Sequence, residues 1–296
     1  MIVSASINAD VPAHYGAWFM RRLEAGYCRV AHAGGVACPR VPLTPDAVEG
    51  FVFWTRSVEP FWPVLDWIRR QGFAFTVQFA ITGYPRELDP APVSAESAAA
   101  QLVRLARKFG PRVAVWRYDP LLVTPLTPLN WHLANFERIA RALAGATDEA
   151  ALAFARSGRK PRRARAGAIA HRDPEPGQAR DLVKRLAQVA GRHGMRLTLC
   201  AQPDWLAPGA APARCIDARR LADAAGRPIA VETAGFLPGC LCARATDIGE
   251  CGAPGGGCFC GDLPRRRARR GHDANGEFLF PAARPFSRAR GEDLPF

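Results

Sequence analysis

The sequence contains no apolar run approaching the roughly 20 residues that a helical membrane span requires. Its first residues, MIVSASINADVPAHYGAWF, also lack the basic stretch and apolar core of an export signal. We therefore expect a cytoplasmic protein that does not enter the membrane. No Gly-x-Gly-x-x-Gly follows the first apolar run, which ends in SASINAD, and neither a Walker loop nor His-Glu-x-x-His occurs, so dinucleotide, P-loop and zincin chemistries are excluded. No two of the six histidines share a ligand spacing, and none is nominated as a base. Acidic residues are also short, 27 against 40 basic ones in 296, giving a formal net charge of +13.

What is present fits a globular chain. The residues are 48% hydrophobic and 23% charged, enough apolar surface to offset the entropy of ordering. Nine cysteines are too few for a disulfide scaffold at this length. In a reducing compartment they are expected as thiols or metal ligands.

Short β-rich runs alternate with amphipathic helices. IVSAS (2–6) predicts a first strand, and 13–26 a helix with Trp18, Phe19, Leu23 and Tyr27 on one face. CRVAH and ACPRV predict a small hairpin, FVFWT (51–55) a second core strand, and about 60–71 a helix that opens on proline. FAFTVQFAI (73–81) predicts a third strand, and the helix after it runs from the Ser94 cap to the Gly110 stop. VAVWRYDP (113–120), ALAFA (151–155) and RLTLCA (196–201) predict further strands, with helices at 130–143 and 178–193 between them. Strand followed by helix, repeated along the chain, predicts an α/β fold with a parallel sheet, best read as a full or partial TIM-like (β/α) barrel. We divide the chain into a barrel domain, 1–235, and a Cys-rich C-terminal segment, 236–296, that folds back on it.

Barrel enzymes carry their reacting groups at the C-terminal ends of the strands. The polar residues there are Ser4, Ser6, Asn8, Asp10, Trp54, Thr55, Gln78, Thr82, Arg117, Asp119, Arg156, Cys200 and Gln202. Ser6, Asp10, Trp54, Gln78, Thr82, Arg117, Asp119 and Cys200 are the substrate-pocket candidates, for a small-molecule substrate. Arg117 offers a fork for a carboxylate or phosphate, or else an ion pair closing the rim. Asp10 reads either as a pocket residue or as a helix N-cap.

Two basic runs hold most of the charge excess: Arg156, Arg159, Lys160, Arg162, Arg163, Arg165 and Arg172, and then Arg265, Arg266, Arg267, Arg269 and Arg270. They read as solvated loops, or as sites for nucleic-acid phosphates or an anionic ligand. Cys28, Cys38, Cys200 and Cys215 are scattered, whereas Cys240, Cys242, Cys251, Cys258 and Cys260 share one glycine-rich stretch. Soft thiolates among glycines suit Zn²⁺ or an iron–sulfur cluster, although the spacing matches neither a zinc ribbon nor a ferredoxin.

The segments MIVSASINADVPAHYGAWFMRRLEAGY, FVFWTRSVEPF, VQFAITGYPRELDP, VAVWRYDPLLVT, CIDARRL and PGCLCARATDIG resemble, in order and over nearly the whole chain, the uncharacterised bacterial family called domain of unknown function 1848. Members of that family usually end in Cys-x-x-x-Cys-x-x-Cys preceded by Asp-Ile-Gly, a spacing like that of radical S-adenosylmethionine enzymes. The resemblance implies a radical-SAM-like barrel with its [4Fe–4S] loop at the C-terminus, binding S-adenosylmethionine at an open iron. In this sequence only Cys258 falls in the family register, since Pro254 and Gly261 occupy the other two places. Cys251, Cys258 and Cys260 are then the expected ligands, with Cys240 and Cys242 in reserve. Ile7, Asn8, Ala9 and Asp10 stand where the family usually has Arg-Arg-Thr-Asp. Resemblance resumes at HDANGEFLFP, so either a compensated reading-frame shift between about Glu250 and Gly271 or a diverged, cluster-free member accounts for the text between. The other reading is a non-redox barrel that binds an anionic ligand or nucleic acid through Arg117 and the 156–172 loop, with structural zinc or no metal.

Overall fold

Near-continuous apolar strands need cover on both faces, and the chain supplies it with helices on one side and its own later segments on the other. The computed structural model describes residues 1–7, 9–30, 39–90, 93–155, 171–230, 232–235 and 239–248. Eight strands form one parallel sheet: β1 (Ile2–Ala5), β4 (Gly50–Thr55), β5 (Phe75–Ala80), β6 (Ala114–Leu121), β7 (Glu149–Phe154), β8 (Arg196–Leu199), β9 (Ala210–Pro212) and β10 (Ala245–Asp247). Their order across the sheet follows the chain, except that β10 lies outside β1, with Ile2 opposite Ala245 on one side and Gly50 on the other. The hairpin expected at 28–41 is β2 (Tyr27–Arg29) paired antiparallel with β3 (Arg40–Pro42).

The helices are α1 (Val11–His14), α2 (Gly16–Ala25), α3 (Trp62–Arg70), α4 (Ala95–Phe109), α5 (Leu129–Leu143), α6 (Pro176–Arg192) and α7 (Ala218–Ala225). Their starts carry recognisable caps. Asp10 accepts the Ala13 N–H, Ser94 the Ser97 N–H, and Asp217 the Arg219 N–H. Alternation along the strands sorts the side chains. Phe51 and Phe53 of β4 pack edge-to-face against Phe19 of α2, and on β6 Tyr118 packs edge-to-face and Trp116 tilted against Phe136 of α5. The opposite face carries Ile2, Val52 and Ala74, which join Ala213, Cys215, Ile216, Leu221, Cys242 and Ala243 in a second apolar cluster.

Several boundaries differ from the sequence reading. Gly26 adopts φ +72°, closing α2, so Tyr27 begins β2 and does not share the helical face of Trp18, Phe19 and Leu23. The fifth expected strand starts two residues early, at Glu149, whose carboxylate pairs with the buried Arg220. α7, β9 and β10 add to the expected elements. α7 seals the N-terminal end of the sheet: a side chain at Gly50 would meet Leu221 at 2.8 Å, and Arg220 donates to the Arg112 carbonyl (3.0 Å) and pairs with Asp148 and Glu149 (both 2.8 Å).

Candidate functional site

The sheet face opposite the helices is polar toward the strands' C-terminal ends. In β6, Arg117 points from this face with its side chain 7% exposed. Its guanidinium donates to the Cys215 thiol (3.1 Å) and the Gln78 side-chain oxygen (3.3 Å), pairs with Asp119, and lies 5.1 Å from the Trp54 ring centroid. Burial works against its charge, but Cys215 and Asp119 more than offset that and hold its pKa above the usual range. The Trp54 indole donates to the Ser4 hydroxyl (3.0 Å), Ser4 donates to Asp247 (2.7 Å), and Asp247 also accepts the Ile7 N–H (2.9 Å). A continuous belt thus crosses β10, β1, β4, β5 and β6.

Beneath the belt lies a group of thiols from three separate stretches of chain. Cys200, just past β8, and Cys215 share a hydrogen bond with Sγ–Sγ 3.4 Å. Cys242 is buried in the same apolar cluster as Cys215, and Cys240 packs against that cluster. The backbone sets this convergence. Gln78 donates to the Cys215 carbonyl (2.8 Å), and the Ala243 N–H donates to the Ile216 carbonyl (2.9 Å), which seats Cys242 beside Cys215. A further bridge, Thr233 to Ala243, with the Ala234 N–H donating to the Cys242 carbonyl (2.9 Å), lays 232–234 against 242–244. The hydrogen bonds from its two thiol neighbours, aided by Arg117, push Cys215 well below the ordinary thiol range. The bond to Cys215, together with burial, pushes Cys200 and Cys242 up.

Of the pocket candidates, Trp54, Gln78, Arg117, Asp119 and Cys200 meet in this belt. Ser6 is buried and accepts the Ala9 N–H (3.3 Å). Asp10 caps α1 and binds the Thr55 hydroxyl (2.6 Å) and the Arg56 N–H (3.0 Å), so it fastens the β1–α1 turn to the end of β4. Thr82 lines a different space, a polar cavity of about 260 Å³ past β5 with Arg56, Tyr84, Asp89 and Arg138. A larger cavity, about 640 Å³, is an open groove along the outside of α4, lined by Ala99, Ala100, Val103, Arg104 and Arg107. Cys215 was not among the candidates. Its signal was the strand-end Cys200 followed fifteen residues later by another thiol, two residues before the Asp217 cap.

Asn8, Arg156, Cys38, Cys251, Cys258 and Cys260 lie outside the described residues, as do both basic runs apart from Arg172. Among the described residues, no group of three or more His, Cys, Asp or Glu side chains is arranged to hold a metal ion as it stands, and Cys240 and Cys242 complete no such set. No helix among them is long and apolar enough to cross a membrane.

Fold and site together define an α/β protein whose eight-stranded parallel sheet presents an arginine-centred belt and buried thiols on the face its helices leave open. The family follows from the sequence: the profile described as Domain of unknown function (DUF1848) matches residues 2–260, and the chain belongs to that family. No curated protein and no solved structure matches it.

Proposed function

We propose that this chain is a (β/α)-barrel enzyme of the iron–sulfur, radical S-adenosylmethionine-like kind, with its cluster loop supplied by the C-terminal segment. One observation carries the reading: β10 docks parallel on β1, so the chain leaves the sheet after Asp247 at the C-terminal edge, beside Ser4 and Trp54. Cys251 follows Ile248 by three residues, a reach of at most about 10 Å. In this reading the segment that carries Cys251, Cys258 and Cys260 sets out from the edge where barrel enzymes hold their reacting groups.

Eight parallel strands in chain order, the last beside the first, support a barrel. Among the described residues β9 and β10 share no ladder, so closure at that seam is part of the proposal. The described thiols form no ligand set, so the ligands in this reading are Cys251, Cys258 and Cys260, and no step is routed through the cluster. When bound, it would supply a one-electron reductant at the barrel mouth. The chain's own residues do the rest. Ser4 and the Ile7 N–H hold Asp247 and fix where the segment departs, Trp54 covers Arg117, and Asp119 keeps a partly exposed carboxylate, 27% accessible, at the rim. The polar cavity bounded by Arg56, Thr82 and Asp89 is sized for a small-molecule substrate group. In the anion-binding alternative, Arg117 would first have to release Asp119, Gln78 and Cys215.

Anaerobic purification and reconstitution test the proposal. About four irons and four sulfides per chain, with a charge-transfer absorption lost in Cys258→Ser, are expected. A colourless protein that takes up no iron overturns it. Resequencing the gene across codons 250–271 decides whether a reading-frame shift produced the altered spacing.

A further inference from the structure

Cys200 and Cys215 touch, with Sγ–Sγ 3.4 Å, and a buried cation faces one of them: the Arg117 guanidinium stands 3.1 Å from the Cys215 sulfur. Their backbones are firmly placed. The β8–β9 ladder ends with Leu199 opposite Pro212, the Cys200 N–H donates to the Leu152 carbonyl (2.8 Å), the Ala213 N–H to the Leu199 carbonyl (2.9 Å), and Gln78 to the Cys215 carbonyl (2.8 Å). A further observation sets this pair apart from thiols that merely fill a core. Ala201, directly after Cys200, holds φ +50°, and among the described residues it is the only non-glycine with a positive φ. Backbone strain of this kind collects where a side chain must be aimed. Cys200 is half-buried and Cys215 is 6% exposed, so Cys200 is the more open member of the pair.

We propose that Cys200 and Cys215 are a reversible oxidation site, at which hydrogen peroxide converts the two thiols to a disulfide that ties the end of β8 to the stretch leading into α7. The site uses none of Cys251, Cys258 and Cys260 and stands independently of the iron–sulfur reading. Bonded sulfurs lie about 2.05 Å apart, so the pair must close by about 1.4 Å, within the swing of a sulfur about its Cα–Cβ bond. The Cys215 thiolate, its charge offset by Arg117, attacks one peroxide oxygen. The O–O bond breaks, the sulfur becomes a sulfenic acid, and the departing hydroxide takes up the proton that Cys215 had lost. The Cys200 sulfur then attacks the sulfenic sulfur; the S–S bond forms, the S–O bond breaks, and the Cys200 proton leaves with that oxygen as a second water. Two thiols and one hydrogen peroxide give one disulfide and two waters, with two electrons passing from sulfur to oxygen. In the disulfide, Cys215 carries no charge for Arg117 to offset, and the guanidinium is left with Asp119 and Gln78. The state of the two sulfurs is thereby felt in the polar belt.

The test uses the full chain carrying Cys251→Ser, Cys258→Ser and Cys260→Ser together, so that the outcome for iron has no bearing on it. Reduced protein is treated with a small excess of hydrogen peroxide, alkylated, and mapped by mass spectrometry without reduction. Loss of two titratable thiols, a peptide pair joined through Cys200 and Cys215, and recovery of both thiols with dithiothreitol are expected. In Cys200→Ser, dimedone should trap the Cys215 sulfenic acid. Arg117→Met should slow thiol loss about tenfold and Arg117→Lys, which keeps the charge, by less. The parent measurement changes nothing at the pair and holds even where a variant fails to fold. Peroxide that leaves both thiols free, joins Cys215 to Cys242 instead, or carries Cys215 to the sulfinic acid with Cys200 still reduced overturns the proposal. Equal rates in Arg117→Met, Arg117→Lys and the parent overturn the part given to the guanidinium.

Discussion

Arg117 illustrates what a single buried side chain can hold in place. Its partners come from β5, its own strand and the stretch after β9, so its removal strands a carboxylate and a thiol that were arranged around a positive charge. Breaking one side of a buried pair typically costs about 3–5 kcal/mol. Because Asp119 reaches solvent, we expect Arg117→Met to lose about 3 kcal/mol in urea unfolding. Arg117→Met combined with Asp119→Asn should recover part of that loss, and no recovery would mean the pair is not coupled. His132 gives a second prediction. Its ring bridges the Tyr118 hydroxyl (2.9 Å) and the Leu122 carbonyl (2.9 Å), and burial lowers its pKa from 6.5 to about 4. Between those values the unfolded chain binds the proton and the folded chain does not. The neutral-imidazole contribution is therefore present above pH 6.5 and is lost as pH falls toward 4, about 3 kcal/mol in all. Unfolding midpoints measured from pH 7.5 to 4.5 should fall accordingly, and His132→Gln should flatten the decline.

At the scale of elements, the ion network under β7 shows why charged positions escaped the sequence reading. Glu149 opens β7 and binds Arg220, only 1% exposed, as well as Arg196 and the Thr198 hydroxyl. Glu149→Gln should lower the melting temperature by roughly 8 °C, from about 3 kcal/mol lost at a buried pair. Arg196→Met, whose side chain is half exposed, should cost under about 1 kcal/mol. Equal effects would refute the distinction. Long apolar strands such as FVFWT and FAFTVQFAI were legible because cover on both faces leaves few polar positions to interrupt them. β9 and β10 were not. AAP and ATD are three residues each, with no periodicity to read, and only their pairing with β8 and β1 makes them strands. α7 was equally hidden, since ARRLADAA buries a charged residue, Arg220, at its core-facing side. The belt was legible in part for the same reason. Trp54, Gln78, Arg117, Asp119 and Cys200 stand at strand ends, where the fold makes polar residues informative, whereas Cys215 and Cys242 reach the site through those short unreadable elements.

Across the whole molecule, the two ends of the described chain are neighbours. β1, the first strand, has β10 as its outer partner through Ile2–Ala245, Val3–Thr246 and Ser4–Asp247, and Ile248 returns a hydrogen bond to the Ser4 carbonyl (3.0 Å). On a ribosome, therefore, the first strand emerges long before the strand that shields it. Until residue 247 has left the exit tunnel, one row of β1 backbone groups has no ladder partner, an open edge of the sort other nascent chains can join. A cell making this protein has an interval, set by translation of more than two hundred residues, in which solubility depends on chaperones or on the basic charge of the growing chain.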